Sequence, residues 1–134
     1  MSATSEVSKE LEGLFIDEGE QAVDGLLRET LEPLLGLTRE GRIVTKAPFL
    51  KQSVPTRVLA VLLARLAIVR LNLPNAVAGA TAEQLQSDCL APVKACRECL
   101  SRLKSKGVLA KNEAGYSIPI WAVSKAVGEI KGNR

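Results

Sequence analysis

The sequence predicts an α+β fold that is mostly helical, and three observations carry the prediction. Aliphatic residues recur at helical spacing over residues 54–72 and 92–106. Two shorter stretches, 34–46 and 108–118, set apolar and β-branched residues on either side of a glycine-bearing turn, the pattern of a hairpin. The 134 residues are 46% hydrophobic yet only 3% aromatic, so the core has to be aliphatic. A chain of this length suits one compact domain with an appended segment. We divide it into an acidic N-terminal helix and hairpin segment, 1–50, and a main domain, 51–134, that ends in a helix.

Taken in order, residues 5–31 are mostly helix formers, with apolar positions at Leu11, Leu14, Phe15, Val23, Leu26, Leu27 and Leu31. They predict one or two amphipathic helices, weakened as a single rod by Gly19 and Gly25. Pro33 ends the pattern, and Gly41 supplies the turn of a hairpin over Leu34–Lys46. Ser53 as N-cap and Pro55 in the first turn open a central helix from Val54 to Asn72, whose apolar residues lie nearly all round its axis. Its end is punctuated by Pro74 and Gly79. Thr81 and Gln84 form a capping box for a short helix to Ser87, and Asp88 to Ala91 make a turn. From Pro92 a helix runs to Lys106, where Gly107 stops it. Val108–Lys111 and Tyr116–Ile118 form the second hairpin around Asn112–Gly115, and Ile120, Val123, Val127 and Ile130 mark a last helix.

Charge is unevenly spread. Residues 1–50 carry ten acidic and five basic side chains, residues 51–80 four basic and no acidic ones, and residues 81–134 nine basic and five acidic ones, for a net charge of +3. A basic back behind an acidic front suits a polyanion partner for the C-terminal part. The opening MSATSEVSKELEG is polar and acidic, unlike a secretory signal, and three cysteines make no disulfide framework, so a cytoplasmic location is expected. The longest apolar run, Val58 to Leu73, falls short of the ~20 residues of a membrane span and is broken by Arg65 and Arg70, so no membrane partner is expected.

The order helix, helix, turn, helix, hairpin, helix, with Cys96, Leu100, Leu103, Gly107, Val108 and Leu109 in their spacing, resembles the winged helix-turn-helix domain of archaeal and bacterial transcription regulators. The resemblance covers about Ser53 to Ile130. It implies a recognition helix at 92–106 and a wing at 108–118. At 100° per residue Val93, Cys96, Leu100 and Leu103 share one stripe, with Cys99 at its edge, while Lys94, Glu98, Ser101, Arg102 and Ser105 lie opposite. By resemblance Lys94, Arg97, Glu98 and Ser101 would meet base edges, and Arg102, Lys104, Lys106 and the wing residue Lys111 would meet phosphates. The bland alternative is a solvated i, i+4 ion-pair ladder through Lys94, Glu98 and Arg102. Glu98 on the reading face and Glu113 at the wing tip favour a competing role, a protein-interaction module whose acidic N-terminal segment contacts a partner.

Cys89, Cys96 and Cys99 form C-x6-C-x2-C, but the chain has no histidine to complete a four-ligand zinc site. Packing as small buried hydrophobes is the expectation, with a redox switch and a metal site as alternatives. No cofactor is expected. The absence of histidine removes the commonest general base, and Gly36 to Arg42 lacks the lysine and hydroxyl of a phosphate loop, so we expect a non-enzyme. The apolar residues of the first and last helices leave two expectations: they exceed what one small domain covers, which would suit a homodimer that presents two recognition helices to double-stranded DNA, or both helices fold back on their own domain.

Overall fold

The computed structural model describes residues 22–132. The helix expected upstream of residue 22 lies outside them. A helix over residues 22–31 (α1) presents Val23, Leu27 and Leu31 to the core. The first hairpin follows, β1 (Leu35–Leu37) pairing antiparallel with β2 (Ile43–Thr45) in the register Leu35–Thr45, Gly36–Val44, Leu37–Ile43. Gly41 has φ +82° at its tip, where an added Cβ would collide with the Pro74 carbonyl oxygen, so glycine is required for both conformation and space.

A four-residue helix that sequence reading missed, α2 (Ala47–Leu50), comes next; its Pro48 sits in the first turn and its Phe49 is fully buried. The central helix α3 (Val54–Arg70) is buried on nearly every side, and Ala60 and Ala64 have no exposed surface. Its start differs from expectation in one detail: the Ser53 hydroxyl donates to Thr56 Oγ1 at 3.1 Å and leaves the helix amides uncapped. Its end is a Schellman motif. Asn72, at φ +56°, takes the left-handed position, Leu73 N–H reaches the Ile68 carbonyl at 3.1 Å and Asn72 N–H that of Val69 at 3.0 Å. Arg70 Nε donates to Asp24 Oδ1 at 2.6 Å and ties the end of α3 to α1.

α4 (Ala82–Cys89) opens with the expected capping box: Gln84 N–H donates to Thr81 Oγ1 at 3.3 Å, and Thr81 N–H to Gln84 Oε1 at 2.9 Å. It runs further than predicted, and Asp88 and Cys89 belong to its last turn. Leu90 makes this possible by adopting φ +55°, a conformation its residue type does not announce. Pro92 is the N-cap of α5 (Val93–Ser105). α5 ends in a second Schellman motif, with Gly107 at φ +78° and Val108 N–H on the Leu103 carbonyl at 3.1 Å.

The second hairpin, β3 (Ala110–Asn112) and β4 (Gly115–Ser117), closes through Ala114 N–H donating to Asn112 Oδ1 at 2.8 Å. Its outer edge is paired as well: Ala80 and Tyr116 exchange backbone hydrogen bonds of 2.9 and 2.8 Å, so the residue just before α4 extends the hairpin. Gly115, at φ +117°, lies where any Cβ would strike the Ala80 carbonyl. A 3-10 turn (Ile120–Ala122) leads into α6 (Val123–Gly132).

The class is therefore α+β and mostly helical, with two small antiparallel sheets. α3 packs against α4, α5 and α6, and α4 against α5. One buried cluster joins Val23 through Phe49 to α3, α5 and α6. Of the two expectations for the last helix, folding back on its own domain is the one seen: Val123, Ala126, Val127 and Ile130 are buried within the chain, while Ile120 precedes α6 and is 49% exposed. No helix among the described residues is long and apolar enough to cross a membrane.

Candidate functional site

α5 is strongly two-sided. Cys96, Cys99, Leu100 and Leu103 are buried, and Val93 packs against the same core. This fixes the helix's roll about its axis, so its outer face is presented at a defined angle. Lys94, Arg97, Glu98, Ser101, Arg102, Lys104 and Lys106 are all exposed on that face or at its C-terminal end, and Lys111 is exposed on β3. All eight residues singled out in the sequence are thus at the surface.

Their local partners differ. Arg97 Nη2 sits 2.8 Å from Glu83 Oε1, bridging α5 to the first turn of α4. Glu83's carboxyl is held below the usual range by its own backbone amide and then by Arg97. Lys106 Nζ lies 3.4 Å from Glu129 Oε2 on α6, and Lys111 Nζ stands 5.4 Å from the centre of the Tyr116 ring. The Ser101 carbonyl accepts from the Ser105 hydroxyl at 3.1 Å. Lys94, Glu98, Arg102 and Lys104 make no ion pair among the described residues. The i, i+4 ladder through Lys94, Glu98 and Arg102 is therefore not formed, and three cations stand free beside one carboxylate.

Sequence reading missed Arg57. From α3 it donates Nη1 to the Leu90 carbonyl at 3.2 Å, while its own carbonyl accepts from the Cys89 thiol at 3.7 Å. It thereby clamps the turn from α4 to α5 from beneath. The only signal in the sequence was an arginine in an apolar helix far from any acidic neighbour.

The cysteines lie under the same turn. All three are free; Cys89 and Cys96 have no exposed surface and Cys99 is buried. The Cys96 thiol points at the Ala91 carbonyl, 3.9 Å away. Burial pushes all three thiols up from their ordinary range, Cys89 furthest, with neighbouring Cys96 and Asp88 adding to it. Thiols raised in this way are poorly suited to attack or ligation. Among the described residues no group of three or more His, Cys, Asp or Glu could hold a metal ion.

No family model, curated protein or solved structure matches this chain.

Proposed function

We propose that the chain is a non-enzymatic double-stranded DNA-binding protein of winged helix-turn-helix type, a transcriptional regulator or nucleoid-associated protein of the cytoplasm. α5 is its recognition helix and the β3–β4 hairpin its wing. One observation carries the reading: α5 is locked by its buried side and offers Lys94, Arg102 and Lys104 on the other side without a partner among the described residues. Cations left unpaired on a rigid helix suit a phosphate backbone. The order α3, Ala80 bridge, α4, α5, hairpin supports the wing assignment. Three free thiols fit a reducing compartment.

In this reading Lys94, Arg97, Glu98 and Ser101 face base edges, and Arg102, Lys104, Lys106 and Lys111 face phosphates. Arg97 and Lys106 first release Glu83 and Glu129, which costs little because ion pairs near the surface are weakened by solvent and salt. A two-fold pair of chains would set two α5 helices about one DNA turn apart.

Fluorescence anisotropy of a labelled duplex at several salt concentrations tests the proposal. Binding should weaken steeply with salt, and changing Lys94, Arg102 and Lys104 together to Ala should reduce the slope of log K against log salt by about 0.9 per lost phosphate contact. A folded protein that binds no duplex at low salt overturns it. The second reading, a protein-interaction winged helix with an acidic N-terminal segment, is favoured by Trp121, 71% exposed beside the exposed Ile120, and by Glu98 and Glu113. It would then be tested by partner capture with and without Trp121→Ala.

A further inference from the structure

A polar cleft of about 300 Å³ lies between the first hairpin and α3, and no residue of α5 lines it. Its walls are Gly41, Arg42 and Ile43 from the hairpin, Arg65 and Ile68 from α3, Asn75 and Val77 from the following loop, and Asp88 from the last turn of α4. Gly41 packs on the Pro74 carbonyl, so the hairpin tip closes one side against that loop.

Two opposite charges share this cleft without meeting. Arg65, partly buried, gives one terminal nitrogen to the Gly79 carbonyl at 2.9 Å, but its buried Nε has no partner and its charge has no carboxylate in contact. Asp88 is half-buried, takes part in no ion pair, and burial lifts its carboxyl above the ordinary range with only partial relief from Arg65. Charges withdrawn from water are normally paired, since desolvation is costly otherwise. A simple anion would satisfy Arg65 and be repelled by Asp88; a simple cation would do the reverse. A small ligand that carries both charges completes both. The lining also includes the aliphatic Ile43, Ile68 and Val77, and the volume is at the small end of the ~300–1,000 Å³ of ligand pockets.

We propose that this cleft binds a free α-amino acid with a small aliphatic side chain, its carboxylate toward Arg65 and Arg42, its ammonium on Asp88, and its side chain against Ile43, Ile68 and Val77. The inference is independent of DNA binding.

Isothermal titration calorimetry of the full chain with L-valine, L-valinamide and 3-methylbutanoate tests it, because the two analogues each lack one pole. Valine should bind one to one, and each analogue about tenfold more weakly, the loss expected for one charge-assisted contact. Asp88→Asn should weaken valine about tenfold and abolish its advantage over 3-methylbutanoate, with unchanged far-ultraviolet circular dichroism to show that the variant is folded. In an amide NMR titration the shifts should centre on Gly41, Asn75 and Asp88. No heat and no shifts with valine at millimolar concentration overturn the proposal, as does 3-methylbutanoate or valinamide binding as tightly as valine.

Discussion

Leu90 is the residue most at odds with its own conformational preference. A left-handed leucine costs about 1–2 kcal/mol, and at 54% exposure its side chain recovers little by burial. Glycine would remove that strain and return about 0.5–1 kcal/mol of it as extra unfolded-state entropy, so Leu90→Gly should raise stability by about 0.5 kcal/mol in urea unfolding. A loss of stability would mean that the Leu90 side chain packs in the turn after all. The thiols beneath make a second prediction. Their folded-state values are raised, Cys89's most, so the fold holds their protons where the unfolded chain would release them. Their contribution is fully present below the unfolded value, about 8.5, and is lost as pH rises through the folded values. Stability should therefore fall above about pH 8.5, and Cys89→Ala should show a shallower decline between pH 8 and 10. Native protein should also react slowly with a thiol-specific reagent, and all three thiols quickly once unfolded. Exposure of the charged residues on α5 could be read from spacing alone. The Arg97–Glu83 pair could not, because its partner sits on another helix and nothing local marks it.

At the level of elements, signals within a few residues of one another were readable and those that depend on tertiary pairing were not. The Thr81–Gln84 box and the Gly107 stop are local chemistry, and both stand where the sequence placed them. The end of α4 was misjudged because leucine carries no turn signal, and α2 was missed because four residues are too few to show a period. The Ala80–Tyr116 bridge joins residues far apart in sequence, one pair long, and leaves no pattern at all. It does leave a testable asymmetry between two glycines of positive φ. At Gly107 an added methyl meets only the flexible Lys125 Nζ, 3.4 Å away, so Gly107→Ala should cost about 1 kcal/mol for conformation alone. At Gly115 the methyl meets the Ala80 backbone, so Gly115→Ala should cost upward of about 2 kcal/mol and detach the hairpin edge. Urea unfolding of the two variants decides it: equal losses would mean that the hairpin does not rely on the Ala80 bridge.

For the molecule as a whole, the informative fact is that the buried cluster does not stop at residue 50. Leu34, Leu35 and Phe49 lie in the same cluster as Leu59 and Leu62 of α3, Leu100 of α5 and Ile130 of α6. The sequence divides at residue 50 into an acidic N-terminal segment and a main domain, but charge records the surface and is silent on which apolar residues meet. Phe49 is the critical link, a fully buried aromatic in a chain with few of them. Phe49→Ala should cost about 3–5 kcal/mol, a large part of the ~5–15 kcal/mol that holds a typical domain together. If the described residues fold as one unit, that loss must appear everywhere at once: helix content and amide protection in α5 and α6 should fall in the same transition as the first hairpin, at a lower temperature than in the native chain. The same reasoning says that residues 51–134 produced alone would lack Leu34, Leu35 and Phe49 of the shared cluster, and should melt without a cooperative transition. A sharp, cooperative melt of that fragment would mean that the N-terminal segment is an accessory resting on a core that does not need it.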